Sequence, residues 1–419
     1  MLAVCYTTGT MKQSYQPSDE ILAKYAELLV KFGITNRSGK RLPKGSVVQF
    51  VVPEVAKPLY FHLQNAILKS GYNPLGVFLP NDDENYNFEK GFYDSAGKFQ
   101  LEFIPEKFNH GLVSEIDGNI RILAETDLHS LTMVDPKTVM CRTNALQQGK
   151  KLYYDKIDKD QLAWTLGLYG TDTMAKEAGI SLKSYWNQII KACYLDTQDP
   201  VAEWKSIDKT VQETCKKLTG LRIKSLHLVG PDVDLNVGIG DNRSWKAGGG
   251  CNIPSYEVFT SPNCHEINGR IKFNQPLYRY GKRIEDIELV FKNGEVISAK
   301  ASKNLTLLKE MIKVKNGNRV GEFSLTDARL SRITKFMAET LYDENVGGKY
   351  GNTHLALGFC FKECFTGNSD KFNEEKWNSL GFNQSSLHND IISTTDRTVT
   401  ATLYDGSEKV IYEKGQFTV

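Results

Sequence analysis

Apolar positions along the chain follow three rhythms, and each predicts a different kind of element. Behind Ser18, Asp19 and Glu20, the residues Ile21, Leu22, Tyr25, Leu28, Leu29 and Phe32 recur at helical spacing, which predicts an amphipathic helix opened by Ser18. S-V-V-Q-F-V-V-P, Ser46 to Pro53, is a continuous apolar run of strand length. A helical pattern from Ala56 to Ser70 follows and stops at Gly71, and L-G-V-F-L, Leu75 to Leu79, reads as a second buried strand. Strand, helix and strand in close succession predict a βαβ unit, hence a parallel sheet covered on both faces. Asn119 to Glu125 is a third strand by the same reasoning. From Asp135 to about Leu218 the pattern is helical, with Trp164, Tyr185, Trp186, Ile189 and Trp204 as core.

Near Leu221 the rhythm changes to short alternating runs separated by turns. R-I-K-S-L-H-L-V, G-R-I-K-F, I-E-L-V-F-K-N-G-E-V-I-S-A-K-A and T-V-T-A-T-L-Y-D-G-S-E-K-V-I-Y read as strands, and Asn293-Gly294 and Asp405-Gly406 are the two-residue turns that hairpins prefer. One helix is expected to interrupt them, from about Thr326 to Leu341. The expected architecture is α/β plus α+β: an N-terminal parallel-sheet domain over residues 1–220 and a strand-rich catalytic domain over 221–419.

Composition narrows the function classes. The 419 residues carry 52 basic and 50 acidic side chains, and no basic stripe interleaved with aromatics appears, which argues against nucleic acid as a partner. No apolar run is long enough for a membrane span. The eight cysteines are scattered and none forms a C-x-x-C pair, so reduced thiols in a cytoplasmic protein are the simplest reading. The opening M-L-A-V-C-Y-T-T-G-T-M-K has too short an apolar patch for a signal peptide, and Met11 is a plausible natural start, with roughly the first 15 residues as an extension.

Candidate chemistry gathers in the second half. Gly238, Gly240 and Gly248-Gly249-Gly250 lack the third glycine of a dinucleotide fingerprint and the lysine of a P-loop, so turns between strands explain them better. His62, His110, His129, His227 and His265 stand in unrelated contexts, as surface or core histidines do. His354 and His388 differ because acidic residues accompany them. His388 and Asp390 lie two apart in S-L-H-N-D-I-I-S and so share one strand face. Glu257 interrupts the strand-like Y-E-V-F-T, and Glu322 follows Gly321 in V-G-E-F-S-L. Taken singly, each suits a structural role. Together, two histidines and three carboxylates are about what two divalent ions near 3.5–4 Å apart need, in an oxygen and nitrogen set that Zn, Co or Mn accept.

The blocks G-C-N-I-P-S-Y-E-V-F-T-S-P, N-G-R-I-K-F, V-G-E-F-S-L, L-Y-D-E-N-V followed by H-L-A-L-G, and L-H-N-D closely resemble, in order and spacing, the aminopeptidase T family of metal-dependent exopeptidases. The resemblance implies that Glu257, Glu322, His354, His388 and Asp390 hold two divalent ions per chain (Zn, Co, Mn or Mg). It also implies peptide substrates and a homodimer that encloses the site. Two departures stand out. Ser255-Tyr256 is a bulkier approach to the first glutamate than the family's small pair. The position of the family's catalytic tyrosine, seven residues after the histidine of H-L-A-L-G, is Phe361, which has no hydroxyl; Tyr350 is the nearest tyrosine in sequence that would substitute.

The reading is therefore an aminopeptidase that removes the N-terminal residue through a metal-activated water, with Glu322 as general base. Two alternatives stand beside it. His354, His388 and Asp390 alone form the two-histidine, one-carboxylate set of a single-Fe(II) ring-opening dioxygenase. The missing hydroxyl at Phe361 also fits a non-catalytic metal-binding descendant.

Overall fold

Ser18 does open the first helix, α1 (Asp19–Leu28), by accepting the backbone N–H of Ile21 on its hydroxyl. The apolar stripe predicted from spacing becomes its buried face, with Leu22, Tyr25 and Leu28 inaccessible to solvent. In the computed structural model, which describes residues 13–34, 41–83, 85–369 and 371–419, α1 runs on into one wider turn, Leu29–Gly33. The expectation of a start at Met11 and the first cysteine, Cys5, lie outside the described residues.

The βαβ unit forms as the pattern requires. β1 (Val47–Pro53) and β2 (Asn73–Leu79) are parallel and joined by α2 (Lys57–Lys69), which Gly71 terminates at φ +81°. β3 (Gly118–Leu123) and β4 (Ala163–Leu168) complete a four-stranded parallel sheet in the order β2-β1-β3-β4. β4 corrects the sequence reading, which took Asp135 to Leu218 as helical throughout. Its run A-W-T-L-G-L is only six residues long and sits between helices, so the longer periodicity masked it.

One face of the sheet is covered as expected and the other only in part, where Val47 and Trp164 join Leu112, Tyr153 and Tyr154 around Ile116 and Ile157. Ile120, Ile122 and Thr165 point into the core beneath α1, where the Tyr25 hydroxyl both donates to and accepts from the backbone of Leu168. Arg121 and Leu123 on β3, with Trp164 and Leu166 on β4, occupy the opposite face and border a cavity. β2 is an edge strand with Leu75 and Phe78 exposed, where the sequence predicted a buried one.

Beyond the helix Pro200–Gly220 every strand pairs antiparallel. An eight-stranded sheet holds both predicted hairpins, turning at Asn293-Gly294 and Asp405-Gly406. A five-stranded sheet runs His388–Ser393, Asn352–Gly358, Val320–Thr326, Glu257–Thr260 and Lys246–Ala247. Leu226, Leu228, Leu235 and Val237 of the first join Phe323, Leu325, Leu355, Leu357 and Ile391 of the second in one core. The helix expected over Thr326 to Leu341 is replaced by a partly buried loop ending in one turn, Thr340–Asp343. The Asp343 carboxylate accepts the backbone N–H groups of Met337 and Glu339 and holds the loop in shape. A helix the sequence reading missed, Leu305–Lys313, buries Leu307, Leu308 and Met311.

Candidate metal and catalytic site

Side chains alternate across a strand, and that rule assembles the site. In the five-stranded sheet Phe323, Leu325, Leu355 and Ile391 face the core, so Glu322 and Ser324, His354 and Ala356, and His388 and Asp390 all face the other way. Glu257 joins them on the neighbouring strand, where it pairs with Thr326. Residues far apart in sequence thus converge on one patch.

Two overlapping clusters result, Glu257, Glu322 and His354, and Glu322, His388 and Asp390, with the ligand atoms of each within 4.8 Å of one another. His354 Nε2 lies 3.4 Å from Glu257 and 3.5 Å from Glu322 Oε1. His388 Nε2 lies 3.1 Å from Glu322 Oε2 and 3.3 Å from Asp390 Oδ1. Glu322 is common to both clusters and offers one oxygen to each. That engagement of both oxygens suits a ligand shared by the two clusters.

The supports are specific. The Ser255 hydroxyl donates to Glu257 Oε1 at 3.1 Å. His388 Nδ1 donates to the Phe359 carbonyl at 3.0 Å, which fixes the tautomer and leaves Nε2 directed at the carboxylates, the arrangement metal-binding histidines use. The glycine run is more than a turn: a Cβ on Gly248 would lie 2.1 Å from the Ser255 hydroxyl and 3.0 Å from Glu257, and one on Gly250 would lie 2.5 Å from the Phe32 carbonyl. Only glycine passes through that gap.

Charge crowding shows in proton affinities. Burial and then the charge of Glu322 push Glu257 up to about 7. Burial works against protonated His354, but the hydrogen bond and charge of Glu322 outweigh it and raise His354 to about 9. His388 rises as well, since Asp390 and Glu322 overcome the cost of burial. Asp390 and Glu322 fall below the usual carboxylate range because the imidazoles outweigh burial. Protons therefore serve as the counterions of a buried, mostly anionic set. The same oxygen and nitrogen donors, with Nε2 of both His354 and His388 directed at carboxylates, suit divalent cations.

The site opens into a cavity of about 910 Å³ between the two halves of the chain. Its lining includes Arg121, Tyr154, Trp164, Asn252, Arg279 and Glu344. Phe361 is at the site, its ring 5.1 Å from that of His388 and 5.3 Å from those of Phe259 and Phe359. Tyr350 is not: it lies outside the cavity lining, its carbonyl accepts the Tyr412 hydroxyl, and the Lys349 ammonium stands 4.8 Å over its ring. Tyr350 lies in the turn before the strand Asn352–Gly358, so closeness in sequence did not bring it near. Tyr256 adds no bulk, because its ring is fully buried against Trp204 and its hydroxyl donates to the Ala192 carbonyl.

Sequence reasoning passed over Glu344, although it lies in the quoted L-Y-D-E-N-V block. Its buried carboxylate lines the cavity, accepts from Asn252 Nδ2 at 3.3 Å and belongs to neither cluster. Burial, then the charges of Asp390, Glu257 and Glu322, raise it well above the ordinary carboxylate value. The one-iron alternative is not supported, since Glu322 stands between the two histidines and Glu257 against His354, so the triad is not a separate set.

Comparison with known proteins points the same way. A family model described as thermophilic metalloprotease (M29) matches residues 18–417. Aminopeptidase PepS of Streptococcus thermophilus is 26% identical over 425 residues, covering 96% of this chain and 98% of that protein. Aminopeptidase T of Thermus thermophilus is 28% identical over 419 residues, covering 95% and 98%. The solved structure of wild-type AmpT from Thermus thermophilus shares the fold, with a TM-score of 0.79 over 95% of this chain and 99% of that one at 23% identity.

Proposed function

The chain belongs to the thermophilic metalloprotease (M29) family, and from that premise we propose that it is a metal-dependent aminopeptidase acting on peptides in the cavity beside His354 and His388. The carrying observation is the pair of clusters sharing Glu322, and the aminopeptidase names of the relatives support the reading. Glu257, Glu322 and His354 would hold one divalent ion and Glu322, His388 and Asp390 the other, drawn from Zn, Co, Mn or Mg. Such ions supply Lewis acidity for the scissile carbonyl and lower the pKa of water from about 15.7 toward 7.

The chain's own residues do the rest. Glu322 is assigned as the shared ligand. Glu344, steadied by Asn252, takes the proton of the attacking water and returns it to the leaving amine. Ser255 and the Phe359 carbonyl fix Glu257 and His388 before substrate arrives. Phe259, Phe359 and Phe361 exclude water from one side of His388. Glu89, Glu125, Asp127 and Glu339 on the cavity wall give the free α-amine of a peptide a negative surround.

A homodimer is part of the proposal, supported by the apolar side chains Phe61, Leu68, Leu75 and Phe78 exposed along α2 and the β2 edge. So is a reducing, cytoplasmic setting, since Cys193, Cys215, Cys264, Cys360 and Cys364 are buried and not disulfide-bonded. Among the described residues, no helix is long and apolar enough to cross a membrane.

The test is hydrolysis of aminoacyl amides and short peptides by the metal-loaded chain, with N-acetylated counterparts beside them. Free-amine substrates should be cleaved and blocked ones inert, and a chelator should abolish turnover. Cleavage of acetylated peptides at a comparable rate would refute exopeptidase action. No hydrolysis of any substrate, with metal bound, would favour the non-catalytic descendant.

A further inference from the structure

Amide hydrolysis needs a hydrogen-bond donor where the carbonyl oxygen becomes anionic, and the phenyl rings beside His388 provide none. Phe259, Phe359 and Phe361 supply these rings, with those of Phe359 and Phe361 4.6 and 5.1 Å from the imidazole. Of the nearby hydroxyls, Tyr278 donates to Glu177 at 2.6 Å, and Tyr154, on the same cavity lining, accepts from Gln147.

Arg279 is different. It ends the short strand Leu277–Arg279 and is half-buried in the cavity lining beside Asp390. Its Nη2 lies 3.8 Å from Asp390 Oδ2, and among the described residues no other Lys or Arg comes within 4 Å of Glu257, Glu322, Glu344 or Asp390. Nε donates to Asn389 Oδ1 at 3.1 Å, which orients the guanidinium plane. Among the described residues neither terminal nitrogen has a hydrogen-bond acceptor in the protein, since 3.8 Å is too long for one. The result is a fixed fork with permanent charge and open donors beside the ligand set.

We propose that Arg279 is a catalytic residue, the donor that stabilises the tetrahedral oxyanion. The proposal rests on the aminopeptidase reading above. As the water oxygen bonds to the carbonyl carbon, the π pair moves onto the carbonyl oxygen and the water proton goes to Glu344. When that pair returns, the C–N bond breaks and the departing nitrogen takes the proton. Arg279 acts on the charge that exists only between those two events, so its effect falls on kcat.

The experiment compares Arg279→Ala and Arg279→Lys with the unaltered metal-loaded chain, on an aminoacyl p-nitroanilide and on a dipeptide with a free C-terminus. Arg279→Ala should lower kcat by about 10²–10³-fold on both substrates, the usual worth of one oxyanion donor, with KM and metal content little changed. Arg279→Lys should fall between, and added guanidinium should restore part of the Arg279→Ala rate. An α-aminoboronic acid, whose bound form is tetrahedral and anionic, should lose affinity for Arg279→Ala, while the product amino acid should not. Loss of metal together with activity would overturn the proposal and make Arg279 a support for Asp390. A rise in KM confined to the dipeptide would make it an anchor for the C-terminal carboxylate. A kcat loss in Tyr154→Phe but not in Arg279→Ala would give the role to Tyr154. If the unaltered chain cleaves nothing yet Arg279→Ala loses aminoboronate binding, the anion site stands and the peptidase reading fails.

Discussion

Phe361 carries the sharpest consequence at the scale of single residues. Its ring fills a place against His388 but has no hydrogen bond to give. Phe361→Tyr should therefore raise kcat by about tenfold or more, with KM and metal content unchanged, because the added donor acts mainly on the transition state. Tyr350→Phe should leave kcat alone, since that ring stands outside the cavity. The two glutamates should separate binding from chemistry. Glu322→Gln should lose metal along with turnover, as both of its oxygens face imidazoles. Glu344→Gln should keep its metal and lose kcat by about 10²–10⁴-fold, the usual worth of a general base. Metal analysis beside steady-state kinetics checks both, and full metal with low kcat in Glu322→Gln would restore the base role to it. His354, His388, Asp390, Glu257 and Glu322 could be picked out of the sequence because charged residues interrupt apolar strands there. Glu344 could not, because a D-E-N turn looks like any exposed turn until its burial is known.

Elements place these groups through strand register. The His354 and His388 strands pair so that Gly358 lies opposite His388, at φ +124°. A Cβ there would meet the Leu387 carbonyl at 1.9 Å, so the glycine is required both for its backbone conformation and for the close approach. Gly358→Ala should destabilise the chain by at least about 1–3 kcal/mol, the cost of a strained conformation alone. It should also lower metal affinity, because the His388 strand must shift. Thermal melting with and without divalent ion tests this, and an unchanged melting temperature would count against the packing described. Elements with a long, regular pattern, such as α1, β1, α2 and the two hairpins, were legible in the sequence. β4 and the loop before Thr340 were not: a six-residue strand gives too few positions to set a period, and the loop is shaped by the Asp343 carboxylate, not by spacing.

At the scale of the molecule, the metal-free chain should show a pH-dependent stability that ions remove. His354 is raised from an ordinary value of 6.5 to about 9, so its contribution is full below 6.5 and lost as pH rises through 9. Glu257, raised from 4.5 to about 7, adds to the same decline at lower pH. Asp390 and Glu322, which are lowered, act the other way, and their contributions are lost only as pH falls into the acid range. The melting temperature in chelator should therefore drop between about pH 5 and 9, and saturating divalent ion should flatten it by displacing the protons. Calorimetry in buffers of different ionisation enthalpy should detect proton release on loading. A flat metal-free profile would contradict the crowded-anion description of the site. The cavity belongs to this scale too. The hydrophobic cores on either side of it draw on both halves: Tyr256, Met337 and Leu341 pack with α1, and Val139 and Met140 pack under the antiparallel sheets. The division near residue 220 is thus a proposed boundary along the chain, and the cores themselves interleave across it.

The sequence by itself determined α1, β1, α2 and the two hairpins, where the period and the turn residues agree. It also determined the change from parallel to antiparallel pairing after residue 220. These follow from local sterics and from the side-chain alternation each element imposes. Tertiary structure alone decided the rest: that Glu322 lies between two histidines, that Gly248 must be glycine, that Tyr350 is remote and Tyr256 buried, and that Glu344 and Arg279 reach the site. Those facts depend on distances between residues tens of positions apart. Strand register within the five-stranded sheet, and the segments that pack beside it, set such distances, and no period within one segment encodes them.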